Sequence, residues 1–340
     1  MGRMRRAVSM ILAVGIFLTS FSALAANEEI NALFEAAANQ LKTPTQLGIE
    51  SGIYALHPGE TAYVPAVAPD ITPYDQKDTL VLPPVNGSFS STEESIVTVN
   101  AQGLMTAIHP GEARVIYHSA EGDIPYEITV SRDTPTELGK NMAYIARKEY
   151  YQVKRARLPK YNQYAKWYYG KKNEVGWCSV FGIWCANAAG ANPIKEKEAV
   201  DIPDEETLFL REGQVGNQYD GFYALDRFGP IPRVGYMVIY AEMKNAYRTT
   251  HIGIVVNAEE LGNGIYRVTT VEGNMSNSVK SYCYLYDSNL VNHQVGKEKG
   301  LKLQWNMSKM PDEQQTDPLV QYDLHTDHWS VFGFCETWKR

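Results

Sequence analysis

At 340 residues, 44% hydrophobic and 21% charged, the chain has a globular composition and is long enough for two ordinary domains. A formal charge of −7 makes it a poor partner for nucleic acid, or for anionic polymers held by charge alone. Four cysteines over this length exclude a disulfide framework.

The first feature in chain order is a leader. "MGRMRR" supplies three arginines, "AVSMILAVGIFL" is an apolar run, and "SALAAN" ends in small residues. That order predicts a secretory signal over residues 1–25, with Ala23 and Ala25 as an A-x-A cleavage site. A membrane anchor is the alternative, but the apolar run is short for a span and no other stretch could cross a bilayer. Cleavage would remove Arg3, Arg5 and Arg6 and no acid, taking the charge from −7 to −10. The expected mature protein is secreted or associated with the cell wall, with no membrane contact after cleavage.

Ile30, Leu33, Phe34, Ala37 and Leu41 recur at helical spacing and predict a short amphipathic helix over 27–43, within a segment 26–45. From 46 to 131 the pattern changes to short alternating runs. "SIVTVN", "LMTAIH", "ARVIYHS" and "YEITV" each read as a strand, separated by "AQG", "PGE" and "EGD". This spacing predicts a small β-sandwich without a catalytic cluster. "SRDTPTE" (131–137) is a polar linker into a second domain, 132–340. There, tyrosine-rich helices precede the segment "VGWCSVFGIWCANAAG" (175–190), a mixed acidic stretch (193–226) and strands from about 234 onward. Helices followed by a run of antiparallel strands predict an α+β domain.

Trp177, Phe181, Trp184 and Ala188 share a helical period, so a helix of about three turns begins near Trp177 and ends near Gly190. Cys178 and Cys185 are then about 10 Å apart along the axis, too far for a bond that needs Cα atoms within about 7 Å. Cys185, inside the helix, reads as a small core residue. Cys178, in the first turn, meets unpaired N–H groups and the positive end of the dipole, which favour a thiolate. A buried thiol remains the alternative unless a base is near.

Four histidines follow the linker: His251, His293, His325 and His328. "HIGIVVN" (251–257) and "IYRVTTVEGN" (265–274) read as strands joined by a polar turn. A hairpin centred on Leu261-Gly262 would set His251 opposite Glu272 and Asn257 opposite Tyr266. Glu272 or Asn274 could then hold one imidazole nitrogen and free the other for the thiol. An exposed His–Glu pair on an edge strand is the alternative.

Two resemblances follow from these segments. "ESIVTVNAQGLMTAIHPGEARVIY" resembles bacterial Ig-like domains of the Big2 type, which act as spacers or adhesive modules in exported proteins. "GWCSVFGIWCANAAG", "PRVGYMVIY", "THIGIVV" and "VTTVEGNMSNSV" together resemble CHAP domains, amidase and endopeptidase relatives of the NlpC/P60 and papain-like cysteine peptidases. Four blocks match in order over about residues 138–290 and leave the last fifty residues uncovered. The resemblance implies a papain-like α+β fold with a nucleophile helix packed on an antiparallel sheet. It implies Cys178 as nucleophile, His251 as base, and Glu272 and Asn274 as orienting residues. Tyr169 and Trp177 become substrate-side candidates. The implied activity is hydrolysis of amide bonds in peptidoglycan, with no cofactor and no metal. One departure stands out: the family's Gly-Asp is Gly235-Tyr236 here. The rival functions are a non-catalytic wall-binding or adhesive protein on the same fold, and a cysteine peptidase acting on other proteins.

Of the remaining features, Cys283 and Cys335 form either a disulfide or two buried thiols. His325 and His328, with Asp323 and Asp327, fit no strong metal-ligand spacing. Most of the tyrosines are expected in the core. Oligomeric state is not legible.

Overall fold

The computed structural model describes residues 53–64, 66, 85–153, 156–172, 176–243, 245–293, 303–318, 320–323 and 328–339. The expected signal and the expected helix over 27–43 lie outside the described residues, as do His325 and Asp327. All described residues belong to one compact unit spanning Lys42–Arg340. No helix among them is long and apolar enough to cross a membrane.

Seven strands come first: β1 (Ile53–Leu56), β2 (Thr61–Tyr63), β3 (Gly87–Ser91), β4 (Val97–Val99), β5 (Leu104–Ala107), β6 (Gly111–Ser119) and β7 (Gly122–Val130). They form a four-stranded sheet in the order β1-β7-β6-β3 and a three-stranded sheet in the order β2-β5-β4. The alternation seen in the sequence sets the faces. Met105 and Ala107, Ala113 and Val115, and Ile128 and Val130 point into one core with Leu56, Val64 and Val97. The pair β1–β7 runs parallel, the others antiparallel.

Five helices follow: α1 (Glu137–Val153), α2 (Gln163–Tyr169), α3 (Cys178–Ala188), α4 (Glu196–Ala199) and α5 (Val215–Ala224). The Asn162 side chain caps α2 by accepting from the Tyr164 and Ala165 N–H groups, each at 3.1 Å. In α3 every residue but Cys178 and Asn187 is buried. A helix apolar on all sides belongs inside the molecule. Its neighbours explain why: Tyr164 packs against Trp177, Phe181 and Trp184 at centroid distances of 5.4, 5.1 and 4.9 Å.

Seven more strands complete the chain: β8 (Phe228–Gly229), β9 (Met237–Glu242), β10 (Asn245–Gly262), β11 (Ile265–Glu272), β12 (Lys280–Asp287), β13 (Met307–Ser308) and β14 (Trp329–Cys335). They build one antiparallel sheet in the order β13-β12-β11-β10-β9-β14-β8. The architecture is α+β. Tyr236, Tyr240, Tyr282, Tyr284 and Tyr286 fill the core of this sheet. The expectation of a core place for most tyrosines does not hold among the described residues, where Tyr63, Tyr117, Tyr161, Tyr223 and others are half-buried or exposed. The tail left uncovered by the resemblance is integral, because β14 lies between β9 and β8.

That strand order also decides the leftover thiols. Cys283 in β12 and Cys335 in β14 are separated by four strand spacings, about 19 Å at 4.8 Å each, and cannot bond. All four cysteines are free. Tyr236, the one departure noted in the sequence, is buried. Its hydroxyl donates to the Trp338 carbonyl at 2.6 Å, and its ring meets the Trp338 indole at 4.5 Å, so it anchors the tail.

Candidate active site

Cys178 opens α3, and no side chain caps that helix end. The first-turn N–H groups therefore have no competing side-chain cap, and those of Cys178 and Ser179 favour the thiolate. Burial pushes the Cys178 thiol up. The hydrogen bond and charge of His251, with the two backbone N–H groups, outweigh burial and bring it below its ordinary value. The other cysteines behave oppositely: burial, with the Glu149 and Glu336 charges adding to it, drives Cys185 and Cys335 well up, and burial drives Cys283 up against its bond with Thr269. Cys178 is also the only one of the four that is not buried.

His251 stands on β10. Its Nε2 bonds the Glu272 carboxylate Oε2 at 3.0 Å, which leaves Nδ1 for the Cys178 thiol. Burial would lower the imidazole pKa. The bonds to Cys178 and Glu272 and their negative charges dominate and raise it. The arrangement favours a thiolate–imidazolium pair. Trp329 of β14 lies along the imidazole, with centroids 5.4 Å apart and planes at 26°. It screens the His251–Glu272 bond from water.

Glu272 is wholly buried at the end of β11. A buried carboxylate needs donors. It takes them from His251, from the Tyr240 hydroxyl at 2.9 Å and from the Thr270 hydroxyl at 2.7 Å. Tyr284 in turn bonds the Tyr240 hydroxyl at 2.9 Å. The carboxylate is thus held on several sides before any substrate arrives.

The expected hairpin register is corrected by two residues. The turn is Asn263-Gly264, both at positive φ (53° and 75°), not Leu261-Gly262. Bulges between Val255 and Asn257 and between Glu260 and Gly262 shift the ladder, so Asn257 pairs with Thr269 instead of Tyr266. Ile254 pairs with Val271, which sets Glu272 beside Gly253 and diagonal to His251. A Cβ at Gly253 would lie 2.7 Å from the Glu272 Cγ. The bare backbone there gives the carboxylate its path to the imidazole.

The structure separates the remaining candidates. Asn274 does not hold His251; its amide nitrogen lies against Gly176, 3.4 Å from where a Cβ would stand, at the approach to α3. Tyr169 ends α2 close enough to Cys178 for its phenol to feel the thiolate; burial first, then the Tyr168 and Cys178 charges, raise its pKa. Trp177 is fully buried against Tyr164 and Phe181 and packs the core without lining a cleft. Sequence reasoning missed Tyr240, Thr270, Gly253 and Trp329. Thr270 had a signal, since it is two residues before Glu272 on a strand and shares its face. Trp329 had none. Among the described residues no group of three or more His, Cys, Asp or Glu side chains could hold a metal ion.

No family model matches the chain, and no curated protein matches it significantly.

Proposed function

We propose that the protein is an exported cysteine amidase or endopeptidase that cuts amide bonds in the peptide part of peptidoglycan. On this reading residues 132–340 are a CHAP-like, papain-like catalytic domain, and residues 46–131 are an Ig-like spacer that presents it to the wall. The observation that carries the reading is the buried relay Glu272–His251–Cys178, with a depressed thiol at an uncapped helix start. A structural cysteine has no use for such an arrangement.

The chemistry follows from the geometry. His251 holds the proton taken from Cys178, and the thiolate attacks the amide carbonyl. The Cys178 backbone N–H at the helix start can donate to the oxyanion that forms. Collapse of the tetrahedral intermediate breaks the C–N bond, and the amine leaves with the proton from His251. Water, deprotonated by His251, then attacks the thioester and releases the acid and Cys178. Glu272 fixes the ring orientation and stabilises the imidazolium throughout.

Digestion of purified peptidoglycan by the mature protein and by Cys178→Ala, with fragments read by mass spectrometry, tests the proposal. Soluble fragments from the intact protein alone are expected, and their new ends name the bond. Fragments from neither protein, both folded and reduced, would overturn it.

A further inference from the structure

On the segment tied to the first turn of α3 sits a cation that the proposed catalytic relay does not use. The Arg211 guanidinium lies over two rings of α2, 5.0 Å from the Trp167 centroid and 5.2 Å from that of Tyr168. Its backbone is held on both sides. The Arg211 N–H donates to the Ile194 carbonyl at 2.7 Å, and the Tyr168 hydroxyl donates to the Arg211 carbonyl at 3.4 Å. One residue on, the Glu212 carbonyl accepts from the Ser179 hydroxyl at 2.6 Å. This ties the segment to the first turn of α3, next to Cys178. One residue along α2 from Tyr168, Tyr169 is within electrostatic reach of the thiol.

Arg211 is therefore linked to Cys178 by two routes, one through Glu212 and Ser179 and one through Tyr168 and Tyr169. It is half-buried, and among the described residues it forms no ion pair with a carboxylate. The neighbouring Glu212 carboxylate is instead bonded by the Asn217 amide at 3.4 Å. A guanidinium stacked on rings keeps its N–H fork directed away from their faces, pre-organised for a planar anion.

We propose that Arg211 forms a carboxylate-binding subsite beside Cys178, which takes an acidic group of the substrate peptide flanking the scissile amide. The assignment rests on the proposed peptidase reading. It sharpens that reading, because wall peptides carry free carboxylates that are amidated in some forms. The subsite would distinguish the two.

The test separates binding from cleavage. A synthetic peptidoglycan stem tripeptide, as free acid and as carboxamide, is titrated calorimetrically into Cys178→Ala and into Cys178→Ala carrying Arg211→Gln or Arg211→Lys. Binding of the free acid is expected to be roughly 10–100-fold tighter than that of the carboxamide. Arg211→Gln should abolish that preference without weakening carboxamide binding, and Arg211→Lys should restore part of it. Equal affinities for the two peptides, no measurable binding of either, or an equal loss for both in Arg211→Gln would overturn the subsite. Discrimination by the variant without hydrolysis by the intact protein would leave the subsite standing and sink the peptidase reading.

Discussion

Four cysteines of one chemical type have divergent fates here, and environment alone divides them. Burial outweighs all else at three thiols and raises them, whereas Cys178 has an imidazole, a helix start and partial exposure. Iodoacetamide should therefore take one equivalent from the folded protein, at Cys178, and three more only after denaturation. Alkylation follows the thiolate, so its rate should fall towards acid with an inflection below the ordinary thiol value of 9.0. Uptake by Cys185, or an inflection at or above that value, would contradict the ion pair. On the proposed reading hydrolysis adds a limb at the other end: His251 must keep its proton for the leaving amine, and its pKa is raised from 6.5. Activity should thus decline only as pH rises through that elevated value. At this scale the sequence was informative, since helix position marked Cys178 and strand position marked His251. It failed at Trp177, because adjacency to a nucleophile says nothing about which way a helix-start side chain points.

At the scale of elements the outcome depends on register. Hydrophobic alternation located β10 and β11 but not the two bulges between them, since a bulge adds a residue without altering which positions are apolar in composition. The expected His251–Glu272 partnership holds as a 3.0 Å bond, yet across a diagonal that depends on Gly253. Gly253→Ala should push Glu272 off the imidazole and lower kcat/KM about 100-fold or more, as loss of an orienting carboxylate does elsewhere. Thermal stability should fall far less than activity, which pairing a melting curve with the rate would show. An unchanged rate would mean that the carboxylate reaches His251 by another path. The tail was illegible for a different reason. "WSVFGFC" reads as a strand anywhere in the chain, but its place between β9 and β8 is a long-range pairing that no local pattern encodes.

Across the whole unit, the two β-sheets of residues 53–130 are tied to the helices through α1. Lys140 donates to the Ala55 carbonyl at 2.9 Å and sits 3.1 Å from Glu137 and 3.9 Å from Glu60. Glu60 is the unusual member. Burial raises its carboxyl from 4.5 to about 8, although the Lys140 charge and the His57 N–H oppose the shift. A carboxyl raised on folding contributes stability that is complete below 4.5 and lost as pH climbs through about 8. Unfolding free energy should decline between those limits, and Glu60→Gln should flatten the decline and stabilise the protein on the alkaline side. Denaturant melts at pH 5 and pH 9 would show it; parallel slopes for the two proteins would refute it. The insertion of β14 into the sheet also bears on timing. Trp329, which covers His251, and the partner strand of β9 emerge from the ribosome some fifty residues after Lys280, where the matched blocks are already synthesised. A partly made chain therefore carries Cys178 and His251 without the strand that closes the sheet beside them. On the proposed reading the site is completed only when β14, the last strand made, pairs with β9.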